Sequence, residues 1–289
     1  MARSAIRVTT AIAALTAGLS AVLPTAGALP TEQPTKAARA ATTGNPVTGI
    51  PTPCRANHAY PEGATPAEVR RQLQAFSGMK LVGGGWDAGA NAGIVRIVWE
   101  TLDGLNCTDY LDVIRRNNPK IDLNAAPTRS WAWGDWGLTR PGALTLDFAK
   151  WQQAYQGGDK GRLVRILVHE LGHAYSRSPQ AQASYNGFNR LYARGGNFGP
   201  YAYNLNENFS EVIGYYVARC AKDNPYQDKK FAPYYQHVKS TVFKGKEFGP
   251  APGAKPNCSL ATPAPARTTP QAPVRLPKDD LEPQPDVER

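Results

Sequence analysis

Residues 168–175 read VHELGHAY, and this stretch decides how the rest of the chain is interpreted. His169 and His173 stand four positions apart, so on a helix both rings leave the same face, one turn apart. Two imidazoles so placed can bind one zinc ion at about 2.0–2.1 Å. Glu170 is rotated by about 100° from His169, where it can accept a proton from water without binding the metal. The stretch therefore predicts a metal-binding helix that carries a general base.

The same letters also fit a plainer interpretation, an amphipathic helix with surface histidines. H-E-x-x-H arises by accident in about one chain in a hundred of this size. The apolar neighbours Val168 and Leu171 favour an enclosed helix instead, because an apolar stripe packs against a core. A buried Glu170 without a partner would be costly, and a metal with its water would remove that cost.

A third ligand is expected, because catalytic zinc sites hold three protein ligands. An H-E-x-x-H-x-x-G-x-x-H motif is excluded, since its added Gly and His positions hold Ser176 and Pro179. In NENFSE, residues 206–211, Glu207 and Glu211 lie four apart and share a helix face. One carboxylate can bind zinc while the other accepts the ring N–H of a histidine ligand. A solvated acidic helix face is the alternative for these residues taken alone.

Together these motifs resemble the gluzincins, the zinc peptidases that include thermolysin. The likeness is greatest to the catalytic domain of anthrax lethal factor-type peptidases. It covers residues 169–215 and rests on HELGH followed by YAYNLNENFSEVIGYY. The resemblance implies an α+β, zincin-like domain with a mixed sheet. In such a domain an edge strand lies next to the H-E-x-x-H helix, and a second helix carries the glutamate ligand.

The resemblance also implies a role for each residue of the second motif. Glu207 is the expected third ligand of one catalytic Zn²⁺ ion. Glu211 and Asn206 are expected to support the ligands from behind. A tyrosine just upstream would stabilise the oxyanion, and Tyr201 is the better match, with Tyr203 as the alternative.

The chain divides by composition into four parts. A basic start, an apolar run and small residues up to Ala28 predict a secretory signal peptide over residues 1–28. Residues 29–52 resemble a linker or short pro-segment, and residues 53–248 would form the catalytic domain. Residues 249–289 are rich in proline and lack aromatic residues, which predicts a disordered tail.

The four cysteines form no C-x-x-C pair, which argues against a cysteine zinc site. In an exported protein an even count predicts two disulfide bonds. Pairing the nearest cysteines in sequence gives Cys54–Cys107 and Cys220–Cys258, one of three connectivities.

The net charge is +10, and removal of residues 1–28 takes away two arginines and leaves +8. No run of basic residues reaches five, so no dense nucleic-acid site is expected. Weak binding to anionic cell-surface polymers stays open. No second hydrophobic span follows the expected signal peptide, so we expect no membrane anchor. We also expect a monomer.

Local patterns agree with an α+β fold. GALTLDF, residues 142–148, alternates apolar and polar side chains, which predicts a half-buried strand before the helix that carries H-E-x-x-H. The resemblance to the gluzincins implies that this strand is a sheet edge that holds an extended substrate by strand addition. The β-branched run AGIVRIVWETL predicts a strand near residues 93–100. Helices are expected from Thr65 in a capping box, near residues 108–119, and over residues 160–177, 206–220 and 228–243.

The sequence thus predicts a secreted zinc metalloendopeptidase acting on peptides or proteins. Two alternatives stay open: a non-catalytic secreted binding protein on the same scaffold, and a zinc hydrolase acting on cell-wall amide bonds. Trp131, Trp133 and Trp136 are compatible with the second, as part of a cleft or a sugar site. Simple packing is the more common role for such residues.

Overall fold

The computed structural model describes residues 43–44, 51–54, 57–129 and 131–258. This part of the chain contains six short strands and eight α-helices. The strands are β1 (Thr43–Gly44), β2 (Pro51–Thr52), β3 (Lys80–Val82), β4 (Asp122–Ala125), β5 (Gly134–Trp136) and β6 (Ala143–Leu146). The helices are α1 (Pro66–Ser77), α2 (Ala92–Leu105), α3 (Tyr110–Asn117), α4 (Phe148–Gln156), α5 (Lys160–Ser176), α6 (Gln182–Gly195), α7 (Leu205–Val217) and α8 (Ala232–His237). The fold is therefore α+β.

Four strands form a mixed sheet in the order β3-β4-β6-β5. β4 runs parallel to both β3 and β6, whereas β5 runs antiparallel to β6. The expectation that residues 142–148 form the edge strand is wrong, because β6 lies inside the sheet and β5 is the edge strand next to α5. All four residues of β6 are buried, and Thr145 Oγ1 accepts a hydrogen bond from Asn124 Nδ2 at 3.3 Å. The Thr145 side chain therefore contacts the Asn124 side chain of β4 and is not exposed to solvent.

The predicted helices are confirmed, but two others were missed. α1 begins after Thr65, whose Oγ1 accepts a hydrogen bond from Glu68 N as a capping box requires. α3, α5 and α7 lie where expected, and α8 continues into a π-helical turn at Val238–Val242. The sequence did not reveal α4 or α6, and α4 separates β6 from α5.

The expected strand near residues 93–100 is wrong, because this segment lies within helix α2. The apolar residues of this helix are enclosed on nearly all sides. An apolar run without period-2 alternation is equally compatible with a buried strand and a buried helix. Arg96 Nε donates to Glu100 Oε1 at 3.0 Å, an i,i+4 pair that only a helix brings together.

Both predicted disulfides, Cys54–Cys107 and Cys220–Cys258, are present. The second fastens residues 249–258 to the domain, where Tyr235 Oη also donates to Gly249 O at 3.0 Å. The prediction of a disordered tail from residue 249 is therefore wrong for residues 249–258. Three predicted segments lie outside the described residues: the signal peptide, the linker apart from residues 43–44 and 51–52, and the tail beyond residue 258. Within the described part of the chain, no helix is both long and apolar enough to cross a membrane.

Two glycines allow α5 and α7 to approach closely. A Cβ added to Gly172 would lie 3.1 Å from Ser210 Cα, and one added to Gly214 would lie 3.0 Å from Arg165 O. Larger side chains here would have to push the helices apart. This close packing brings residues 206–211 of α7 beside the H-E-x-x-H face of α5.

Candidate metal centre

Two ring nitrogens and one carboxylate oxygen lie close together where α5 packs against α7. His169 Nε2 lies 3.1 Å from His173 Nε2, and Glu207 Oε2 lies 3.2 Å from the first and 3.5 Å from the second. Ligand atoms at tetrahedral positions around one zinc ion lie about 3.3 Å apart. The three atoms therefore suit a divalent ion of the size and geometry of zinc.

Helix α7 begins in a way that fixes the position of Glu207. Asn204 caps the helix, and its Oδ1 accepts a hydrogen bond from Glu207 N at 2.9 Å. Glu207 thus stands in the first turn, where the helix dipole favours a carboxylate. The cap and the Gly172 contact together set how far the carboxylate reaches towards α5.

His173 is oriented from the side away from the cluster. Its Nδ1 lies 3.0 Å from both Ser210 Oγ and Asn206 Nδ2, and Ser176 Oγ donates to Asn206 Oδ1 at 3.1 Å. The Ser210 hydroxyl can accept the Nδ1 proton of the neutral ring, which leaves the Nε2 lone pair free for the cluster. Asn206, which the sequence singled out, and Ser210, which it missed, both contact this side of the His173 ring.

His169 faces a buried ion pair. Its Nδ1 lies 3.9 Å from Glu211 Oε2, too far for a hydrogen bond, and neither atom has a hydrogen-bond partner among the described residues. Glu211 Oε1 accepts a hydrogen bond from Arg165 Nη1 at 2.7 Å, and the Arg165 guanidinium lies 5.2 Å from the centre of the Tyr215 ring. Sequence reasoning missed Arg165, although its position four residues before His169 places it on the same helix face.

Glu170 is buried beside the cluster and against the edge strand. A carboxylate oxygen of Glu170 lies within 4.8 Å of ring nitrogens of His169 and His173, but the Glu207 carboxylate lies closer to both rings. A Cβ added to Gly134 would lie 3.2 Å from Glu170 Cγ, so β5 packs directly on this side chain. Burial raises the pKa of Glu170, with Glu207 and Asp135 adding to the effect against the two histidines. The residue is thereby shifted towards the range in which a carboxyl exchanges protons near neutral pH.

The charges around the cluster attract cations. Burial alone would lower the pKa of His169, but the Glu207 and Glu211 carboxylates raise it to about 10. Burial would raise the pKa of Glu207, but His169 and His173 hold it well below its usual range. A divalent ion between these groups would occupy the same negative field that favours a proton on His169.

The cluster lies in a cleft of about 510 Å³. Tyr201 and Tyr203 both line the cleft and are 65 % and 68 % exposed, and neither hydroxyl has a hydrogen-bond partner among the described residues. The structure thus brings both oxyanion candidates to the cleft without favouring one. Of the tryptophans, Trp136 is buried in the core and Trp133 is partly buried against it, whereas Trp131 is exposed.

Comparison of the chain with protein-family models, with curated protein sequences and with solved structures finds no match.

Proposed function

We propose that this protein is a secreted zinc metallopeptidase with a zincin-like fold, of the gluzincin kind. The observation that carries the proposal is the spacing of His169 Nε2, His173 Nε2 and Glu207 Oε2, which lie 3.1–3.5 Å apart. Two neutral imidazoles and one carboxylate form a donor set typical of catalytic zinc with an open fourth position. The cleft above the cluster gives a substrate access to that position.

Zinc held by these three side chains would polarise the scissile carbonyl and make water acidic enough to attack it near neutral pH. Glu170 takes the proton from the attacking water and delivers it to the leaving amine. Its burial suits both steps, because the raised pKa brings proton uptake and release closer in energy. Tyr201, or Tyr203 in its place, donates a hydrogen bond to the oxyanion from the cleft wall.

The edge strand supplies a place for an extended substrate. β5 pairs only with β6 among the described strands, so its other edge can pair with a peptide. Gly134 on this strand lies against Glu170, which brings a paired peptide close to the general base. The sequence predicted this substrate-binding role for residues 142–148, and the proposal assigns it to β5, Gly134–Trp136, instead.

Export is supported by the two disulfides, because such bonds persist in oxidising compartments. The N-terminal pattern of residues 1–28 supports the same location. A monomer that acts on peptide or protein substrates is the simplest form of the proposal.

The test compares purified wild-type protein with Glu170→Gln and Glu207→Gln in zinc content and in cleavage of proteome-derived peptides. We expect one zinc per wild-type chain and hydrolysis that Glu170→Gln abolishes while keeping its zinc. Glu207→Gln should lose most of the zinc. Glu62→Gln is the matched control, because this glutamate is exposed and pairs with Arg96 outside the cleft.

The two alternatives predict different outcomes. A secreted binding protein on this scaffold would show no hydrolysis in any variant. A hydrolase of cell-wall amides would bind zinc and require Glu170, but would cleave cell-wall fragments and leave peptides intact. Hydrolysis of peptides that is unchanged in Glu170→Gln would refute the proposed mechanism.

A further inference from the structure

The large apolar side chains that are exposed in the described part of the chain are concentrated in one place. They are Trp131, Leu138, Tyr201 and Tyr203, with exposed fractions of 68 %, 53 %, 65 % and 68 %. All four line the cleft that holds the candidate metal centre. Exposed apolar groups gathered around a polar centre are typical of a binding surface.

Trp131 and Leu138 project from well-anchored backbone beside β5. Ala132 O, next to Trp131, accepts hydrogen bonds from Thr128 Oγ1 at 2.7 Å and Lys150 Nζ at 2.6 Å. Leu138 N donates to Asp135 Oδ1 at 2.9 Å. The backbone is therefore held in place while the two apolar side chains face solvent.

Tyr201 and Tyr203 project from the loop before α7, which is anchored in a similar way. Phe198 is buried, and its N donates to Asn208 Oδ1 at 2.9 Å. Ala202 is fully buried between the two exposed tyrosines. The loop thus alternates between side chains that hold it and side chains that it presents to the cleft.

The two pairs come from two different elements that pack on α5. The β5 side packs on Glu170, where Gly134 makes its close contact. The α7 side packs on Gly172 and brings Glu207 to the cluster. A chain lying across the candidate centre would therefore meet Trp131 and Leu138 on one side and the tyrosines on the other.

We propose that these four residues form an apolar clamp that binds large apolar side chains of a polypeptide on both sides of the bond to be cleaved. The reference to a cleaved bond rests on the function proposed above, whereas binding itself does not. The substrate class is an extended or unfolded polypeptide segment rich in aromatic and branched aliphatic residues. Leu138 has no polar group, so it contributes only hydrophobic contact, which favours such side chains over hydroxyl-rich ligands.

The clamp is tested by binding, with Glu170→Gln so that hydrolysis does not interfere. Two peptides of equal length and charge are titrated, one with Phe and Leu flanking its central bond and the other with Ser at both places. We expect the apolar peptide to bind at least about tenfold more tightly, as burial of one or two large side chains implies.

Variants of the clamp separate its two sides. Trp131→Ala and Tyr203→Ala, each added to Glu170→Gln, should weaken binding of the apolar peptide by about fivefold or more, as loss of an anchoring aromatic typically does. Both side chains are largely exposed, so neither change should unfold the protein. Tyr192→Ala is the matched control, because this partly buried tyrosine on α6 lies outside the cleft.

The outcomes distinguish the clamp from the proposed enzyme. Tight binding of the apolar peptide that depends on Trp131 and Tyr203, without hydrolysis by the wild type, would support the clamp and refute the peptidase. Hydrolysis of both peptides at equal KM, with that KM unchanged in Trp131→Ala and Tyr203→Ala, would overturn the clamp and support the peptidase. Equal binding of the two peptides, or no binding of either, would also overturn the clamp.

Discussion

Arg165→Met tests whether the ion pair behind the candidate metal centre stabilises the arrangement of its residues. Arg165 Nη1 lies 2.7 Å from Glu211 Oε1, and the two side chains are 15 % and 2 % exposed. Methionine keeps the apolar stem of the side chain and removes the charge. The Glu211 carboxylate is then left buried with His169 as its remaining cationic neighbour.

The expected cost follows from the burial of this pair. Removal of one partner of a buried ion pair costs about 3–5 kcal/mol, because the other charge loses its compensation. Glu211→Gln should cost less, since Arg165 lines the cleft and contacts the Tyr215 ring. The double variant carries no unpaired charge and should recover about 2 kcal/mol relative to the sum of the single changes.

The assay is urea-induced unfolding of the wild type and the three variants, with chelator and with excess zinc. Zinc should reduce the cost of Arg165→Met, because a cation at the cluster compensates Glu211 in place of the guanidinium. A cost of Arg165→Met below about 1 kcal/mol, or strictly additive free energies in the double variant, would refute the reasoning.

Three further predictions concern Asp147, the Cys220–Cys258 disulfide and Gly134. Burial alone would raise the pKa of Asp147, but hydrogen bonds from Thr128 N and Lys150 N outweigh burial and lower the pKa. The Asp147 carboxylate therefore stabilises the fold above its unfolded pKa of about 3.9. This stabilisation is lost as the pH falls through the lower pKa of the folded state. Asp147→Asn removes the charge that these hydrogen bonds and the Lys150 ion pair stabilise, so it should lower the free energy of unfolding at pH 7 by about 1 kcal/mol and make little difference in strong acid. An equal effect at both pH values in urea titrations would contradict this. Replacing Cys220 and Cys258 by serine opens a loop of 38 residues and should cost about 4 kcal/mol by thermal unfolding, and an unchanged Tm would refute it. Gly134→Ala should lower kcat about tenfold or more with zinc content unchanged, because its Cβ would lie 2.9 Å from Ile166 Cγ2 and 3.2 Å from Glu170 Cγ and would displace the proposed general base. Full activity would show that β5 does not position Glu170.

Helix α5, which carries the candidate metal-binding residues, was predictable because its signals are local. The spacing of His169 and His173, the apolar neighbours and the cap of α1 all lie within one or two turns, and the structure has α1 and α5 where those signals place them. The spatial partnership of Glu207 with both histidines followed from a recognised motif, and the structure brings the three residues together. Whether zinc and catalysis follow from that arrangement stays a prediction.

The errors arose where pairing over long distances decides the outcome. No local pattern reveals that β5 adds antiparallel to β6 and moves it away from the edge. The α2 segment is enclosed on nearly all sides, so its composition does not distinguish a strand from a helix, although the Arg96–Glu100 spacing favoured a helix. Residues 249–258 looked like a tail because their order depends on Cys258 and on carbonyl contacts from distant side chains.

The most direct test of the central claim is an anomalous difference map from crystals of the purified protein, measured on both sides of the zinc absorption edge. A single zinc peak is expected about 2.0–2.2 Å from His169 Nε2, His173 Nε2 and Glu207 Oε2, with the Glu170 carboxylate outside the coordination sphere. No peak between these atoms, or a metal held by Glu170 in place of Glu207, would contradict the assignment of the metal centre and of the general base.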